Sequence, residues 1–277
     1  MATTISYNGA TIMAVGDADT RVLHTSGKYL NDNLTIVNSG GGTGTTLDEF
    51  LMKDFTNNLI TGSATQIPAH AFSYYITNGS ITASFPQCTS IGARGFASCG
   101  GLTSAIFPEC LVIGSSAFYS CSYLNTISFP KCTTISIQAF YFCTRLTQVS
   151  LPECQMIYSN AFYACYYISE AYLPKCSIVS NYAFGACSSL ATVIFGSSCA
   201  TISSSAFDGC WKLLTVDLST VSSVPALGNG AFNNSPIANR TTSTAGVYGS
   251  IYVPASLYDA FKTATNWSAY SSRMVSV

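Results

Sequence analysis

Hydrophobic and polar positions follow one dominant period along this chain, and from Phe85 to Leu218 the same short pattern recurs. Leu102, Leu124, Leu146, Ile168, Leu190 and Leu213 are followed three positions later by Ala105, Ile127, Val149, Ala171, Val193 and Val216. Two positions further come Phe107, Phe129, Leu151, Leu173, Phe195 and Leu218. Pro86, Pro108, Pro130, Pro152 and Pro174 fall every 22 residues and open Pro-x-Cys triplets ending in Cys88, Cys110, Cys132, Cys154 and Cys176. A branched residue follows (Ile91, Ile113, Ile135, Ile157, Val179, Ile202), then Ala-Phe, as in Ala117-Phe118 and Ala139-Phe140. A second cysteine series, from Cys99 to Cys187, runs midway, so a cysteine recurs every 11 residues. Self-similarity at roughly 20 to 29 residues marks a solenoid, in which one repeat cannot bury its own apolar face and neighbouring coils supply the partner. The apolar series predicts a strand in every coil, with the Cys, Ile and Phe positions inward and Phe as a buried corner. Ala71-Phe72 and Ala231-Phe232 are expected in irregular first and last coils.

The spacing L-x-x-L-x-L, with Cys eight residues after the first Leu, is that of a leucine-rich-repeat strand. The run LxxIxFPxC-xxI-xxxAFxxCxxL resembles the BspA-type leucine-rich repeats of bacterial surface proteins over roughly residues 65–235. The resemblance implies an α+β solenoid of 22-residue leucine-rich repeats and a habit of binding other molecules, and it brings no catalytic residues.

The pattern changes at both ends. Period-two runs at Ile5–Tyr7, Thr11–Met13, Arg21–Leu23 and Leu34–Val37, broken by Asn8-Gly9 and Asn31-Asp32-Asn33, predict a small antiparallel β module over residues 1–37. On Tyr7-Asn8-Gly9 and Thr25–Tyr29 it resembles a short module of tail and surface proteins of gut bacteria and their phages. Residues 38–46 are a Gly-rich linker. Over 47–240 the solenoid is expected to begin with a capping helix, since Thr46–Glu49 fits a capping box and Leu47, Phe50, Leu51 and Phe55 lie near helical spacing. Residues 241–277 read as a C-terminal strand-helix-strand cap, with Ser250–Val253 as a strand, Leu257, Ala260, Phe261 and Ala264 on one helix face, and Trp267 in the cap core.

Composition narrows the function. Charged residues are 8% of the 277 and the net charge is −1, against roughly 25% charged in ordinary soluble domains. That excludes the clustered Lys and Arg needed to bind nucleic acid. No apolar run reaches the 18 or so residues of a membrane-spanning helix, so no membrane insertion is expected, and residues 1–8 carry no signal-peptide pattern. The twelve cysteines read as buried free thiols acting as small hydrophobes. Equivalent cysteines on neighbouring coils lie about 4.8 Å apart, but their parallel Cα–Cβ vectors fit a disulfide poorly. With no histidine near them and successive ones on different sides of a coil, they make no metal site. No cofactor and no catalytic residue is expected. His24 and His70 are the only histidines, and Glu109, Lys131, Glu153 and Lys175 read as alternating charges along one ridge.

Two surfaces remain. The outward strand positions carry Thr126, Gln148, Glu170 and Tyr172 amid small hydroxyl residues, and Tyr119, Tyr141 and Tyr163 share one position in three successive coils with Tyr167 nearby. Aromatic rings with hydroxyl tips suit sugar rings or a protein partner. The same ladder also fits a stacked column that serves only the coil. These residues are the expected ligand site. The expected partner is a surface protein or glycan of a bacterial or host cell, and the N-terminal module is where a homo-oligomer would form. The reading is a non-enzymatic binding protein of a phage tail or prophage, in the virion or on a bacterial surface, against a secreted adhesin or a spacer without ligand.

Overall fold

The computed structural model describes residues 59–62, 64–74, 76, 79–238 and 248–277, together with the strands Thr4–Tyr7, Ala10–Ala14, Arg21–Leu23, Tyr29–Asn31 and Lys53–Asp54. Those first four strands form one antiparallel sheet in sequence order. Its last strand is Tyr29–Asn31; the run Leu34–Val37, expected in that role, lies outside the described residues, as does the linker. Of the segment expected as a capping helix, Lys53–Asp54 are strand and pair antiparallel with Leu59–Thr61. The rest of that segment lies outside the described residues.

From Leu59 the chain is a parallel β-solenoid. Each coil contributes one longer strand and, after the Pro-x-Cys turn, one two-residue strand; the far side of the coil is turns where an α+β repeat would place helix. The two-residue strands, from Gln66–Ile67 to Ala226–Leu227, build a continuous eight-stranded sheet. The longer strands divide. One sheet ends at Thr126–Ser128, and a second, six-stranded sheet begins at Gln148–Ser150 and runs through Glu170–Leu173, Thr192–Phe195 and Thr215–Asp217 to Ser250–Val253 and Met274–Ser276. The division coincides with the point where the inward residue closing the strand changes from Phe129 to Leu151, after Phe85, Phe107 and Phe129 have stacked at 5.5 Å.

Burial follows the 22-residue pattern. Leu146, Leu151, Cys154, Ile157, Ala161, Phe162 and Cys165 are completely buried within a single coil. The Ala-Phe turn is linked forward: the Phe118 amide donates to the Ala139 carbonyl of the next coil and Phe140 to Ala161, each at 2.7 Å. This tight turn sets two residues per coil at positive φ, as Gln138 (57°) and Phe142 (59°) illustrate. A side chain there costs on the order of 1–2 kcal/mol, and the equivalent later positions hold Gly209, Gly230 and Asn234, which tolerate it best. The corner phenylalanines stack through the whole solenoid, from Phe72–Phe96 at 4.8 Å to Phe207–Phe232 at 5.7 Å. Phe72 and Phe232, assigned by sequence to irregular coils, thus belong to the same column.

The two cysteine series differ in their partners. In the Pro-x-Cys series the thiol donates two residues ahead, as Cys110 to the Val112 carbonyl at 3.3 Å. In the second series it reaches back one coil: Cys143 donates to the Phe118 carbonyl and Cys165 to that of Phe140, both at 3.1 Å. All twelve are unpaired and buried. Desolvation by burial pushes Cys88 and Cys132 up to about 11 and Cys176 and Cys199 up to about 12. The native protein should therefore resist alkylation at neutral pH, whereas in denaturant without reductant all twelve should react. Mass spectrometry showing disulfides under those conditions would overturn the assignment of free thiols.

At the C-terminal end Ser250–Val253, the helix Tyr258–Thr263 and Met274–Ser276 form the expected cap, and both strands continue the longer-strand sheet in parallel. Pro254 and Ala255–Leu257 lead in through a 3-10 turn without a side-chain cap, so Ser256 does not cap the helix. Phe261 is buried; Leu257 and Ala264 are partly so, and Ala260 faces solvent.

Candidate functional site

The tyrosine ladder is real as geometry. Tyr119 and Tyr141 stack at 5.1 Å with 5° between planes, and Tyr141 and Tyr163 at 5.2 Å with 12°. Each is half-buried. Phe142 lies against Tyr141 at 4.8 Å and edge-on to Tyr163 and Tyr166 at 6.4 Å. Tyr182 meets Tyr163 edge-on at 6.4 Å. Burial, followed by the neighbouring phenols Tyr119, Tyr163 and Tyr166, raises the Tyr141 hydroxyl above its ordinary range. The middle ring has both faces covered by its neighbours, so the ladder offers edges and hydroxyls rather than planes. Tyr166, not Tyr167, joins this cluster; Tyr167 projects outward, 62% exposed.

The longer-strand face is built differently. Gln148, Glu170, Thr192 and Thr215 align in register across four strands, and one row over Ser150, Tyr172, Ile194, Asp217 and Tyr252 do the same. Parallel pairing without bulges holds both rows straight. Thr126, expected beside Gln148, lies across the division of the sheet and bonds to the Asn125 amide oxygen at 2.9 Å. Gln148, Glu170 and Tyr172 are thus brought together; Tyr119, Tyr141 and Tyr163 form a second group; no ring contact or hydrogen bond joins the two among the described residues.

Several hydroxyls elsewhere on the surface are engaged. Thr103 donates to Ile81, Thr133 to Leu111, Thr144 to Ser122, Ser169 to Thr147 and Ser177 to Gln155, each to a carbonyl one coil back at 3.0–3.3 Å. These side chains extend the backbone ladder. By contrast, the side chains of Gln148, Glu170, Tyr172, Thr192 and Tyr252 make no hydrogen bond, ion pair or ring contact with the described residues, and Tyr172 is 43% exposed. Their hydrogen-bonding capacity is left to solvent, and the Tyr172 ring is exposed.

Two ion pairs mark the Pro-x-Cys ridge: Lys131 with both oxygens of Glu109, and Lys175 with both oxygens of Glu153. Each is about half exposed, which limits its contribution to about 1 kcal/mol or less. The described residues contain no group of three His, Cys, Asp or Glu that could hold a metal ion, and no helix long and apolar enough to cross a membrane.

Sequence reasoning missed Trp211 and Tyr252. Trp211, 58% exposed, stands one residue after Cys210, in line with Ser122, Thr144, Tyr166 and Ser188, so its outward position follows from the period alone. Tyr252 enters the Tyr172 row only after the long excursion between Asp217 and Ser250, where no fixed spacing carries the register.

The leucine-rich repeat protein of T. pallidum is similar in fold: 22% identity, 63% of this chain and 81% of that one covered, TM-score 0.46. A leucine rich cell surface protein of Faecalibacterium prausnitzii gives 19%, 84%, 74% and 0.44, and the pneumococcal vaccine antigen PcpA gives 16%, 91%, 81% and 0.40. Comparison with curated proteins finds no significant match. The family described as BspA type leucine rich repeat region matches in six copies over residues 48–169 and 155–245. With that match covering most of the chain and the observed coil repeating its pattern, the protein belongs to the BspA-type leucine-rich repeat family.

Proposed function

We propose that the protein is a non-enzymatic binding protein that recognises a glycan or protein on a bacterial or host cell through its longer-strand face. In this reading residues 1–37 attach it to a phage tail. One observation carries the recognition surface: from Gln148 to Tyr252 the outward side chains stand in straight rows, those of Gln148, Glu170, Tyr172, Thr192 and Tyr252 are unpartnered among the described residues and Asp217 accepts only the Ser219 amide, whereas several hydroxyls on other rows are tied to backbone. Repeat proteins bind through extended faces assembled from equivalent positions of adjacent coils. Here that face offers aromatic planes, an amide and two carboxylates, Glu170 and Asp217, with no cation in either row.

The test is adhesion of the purified protein to gut bacterial cells and to a glycan array. Tyr172→Ala and Gln148→Ala should each weaken binding by roughly 10-fold or more, the scale of truncating an interface anchor. Tyr141→Ala, in the stacked column, should change it little. Because no cluster of charge steers the encounter, binding should vary little with salt. Equal binding by wild type, Tyr172→Ala and Gln148→Ala would sink the placement, and binding to no target would leave the solenoid a spacer.

A further inference from the structure

The eight-stranded sheet of two-residue strands is a second face, separate from the one assigned to recognition, and its middle is apolar. Leu111, Val112, Ile137, Tyr158 and Ile178 are each 38–49% exposed. Met156 lies among them, with the Tyr158 hydroxyl 3.6 Å from its sulfur. Val112, Thr134, Met156 and Ile178 form one row in strict register. Bulky exposed apolar residues gathered on one solvated sheet face, here interspersed with Thr133, Thr134, Ser136, Gln155 and Ser159, point to a contact surface.

The arrangement is complementary to itself. Turning a second copy over about a line that runs along the strands, midway between Thr134 and Met156, reverses the order of coils and keeps each position along the strand. Val112 then faces Ile178 of the second copy, and Thr134 faces its Met156. Every bulky residue in the flanking rows meets a small one: Leu111 meets Ser177, Tyr158 meets Ser136, and Ile137 meets Ser159. The charged ridge three residues ahead of these strands reads Glu109, Lys131, Glu153, Lys175. Reversed, it reads Lys, Glu, Lys, Glu, so the ion pairs Glu109–Lys131 and Glu153–Lys175 of each copy meet those of the other with opposite charges facing at all four positions. Turning about the solenoid axis instead would set the ridge against the uncharged row of Ser115, Ile137, Ser159 and Asn181 and lose that match.

We infer that the protein forms a two-fold dimer by packing these short-strand sheets face to face, coils antiparallel, with the longer-strand faces uncovered. Aligned sheets packed about 10 Å apart are an ordinary solution for two apolar sheet faces. An isologous contact of this kind closes on itself and does not propagate.

Two measurements on the full chain test this. Light scattering at micromolar concentration should give twice the chain mass of 29.3 kDa. Ile137→Glu, which places an unpaired charge opposite a serine and alters no buried residue, should raise the dissociation constant by roughly 30-fold or more with an unchanged melting curve. The orientation is read by cross-linking. Leu111→Cys combined with Ser177→Cys should yield a covalent dimer with a short bismaleimide on a denaturing gel, because the two positions face each other between copies. Within one chain they stand three coils apart, about 14 Å. Either single variant should yield little. A wild-type monomer or trimer, a dimer indifferent to Ile137→Glu, or cross-linking as strong in Leu111→Cys alone as in the double variant would overturn the proposal.

Discussion

Phe140→Ala should destabilise the protein by about 3–5 kcal/mol, one of the two largest effects expected of a single substitution here. The Phe140 ring is completely buried. It stacks on Phe118 at 5.1 Å and Phe162 at 5.0 Å and meets Phe129 edge-on at 6.0 Å. Removing it opens a void in the middle of a close-packed column, where neither neighbouring coil can collapse without breaking its own amide links. Tyr141→Ala, one residue away, removes a half-buried ring with two stacked neighbours and should cost only about 1–2 kcal/mol. Urea unfolding of both variants followed by fluorescence separates them. A Phe140→Ala loss no larger than that of Tyr141→Ala would refute the assignment of core and edge.

Trp267→Ala should cost a similar 3–5 kcal/mol, but with a different distribution along the molecule. Trp267 is completely buried, packs edge-on to Phe261 at 5.1 Å and against Phe232, the last ring of the stack, at 6.1 Å. Its indole N–H donates to the Pro225 carbonyl at 2.7 Å, and the Asn266 amide donates to the Leu227 carbonyl at 2.6 Å. In the preceding coil the equivalent Ile202 carbonyl accepts the Gly228 amide of the coil that follows. The cap side chains thus stand in for the coil that is not there. In a quasi-one-dimensional array the loss should appear first at the end. Amide exchange in Trp267→Ala should accelerate at Ala226–Leu227 and Ser250–Val253 while amides near Phe96 stay protected. Uniform acceleration would show that the cap acts on the solenoid as a whole.

Much of this was legible beforehand. A strict period fixes which side chains face inward, so Leu146, Cys154, Ile157 and Phe162 were identifiable as core without coordinates. The same period placed Tyr119, Tyr141 and Tyr163 in one column, but repetition says nothing about distance. Only the 5.1 Å and 5.2 Å stacking shows that the rings cover one another. Nor does composition distinguish Ser169, bonded back to Thr147, from Thr192 with its hydroxyl turned to solvent. The division of the longer-strand sheet was equally hidden. It depends on whether amides meet carbonyls between Thr126–Ser128 and Gln148–Ser150, while the sequence shows only that Phe129 gives way to Leu151. The ends escaped for a related reason: Phe72 and Phe232 lie in coils of irregular length, and a period cannot be extended through an insertion.

The inward thiols also bear on where such a chain holds its shape. Each acts as a small donor within the core, and no bridge closes between coils, so folding needs no oxidant and a reductant has nothing to cleave. Thiolate is the reactive species in exchange, and burial keeps it scarce. A particle assembled in a reducing cytoplasm and released into an oxidising medium could carry this solenoid across the change unaltered. The fold therefore does not depend on a disulfide, although the chain carries twelve cysteines.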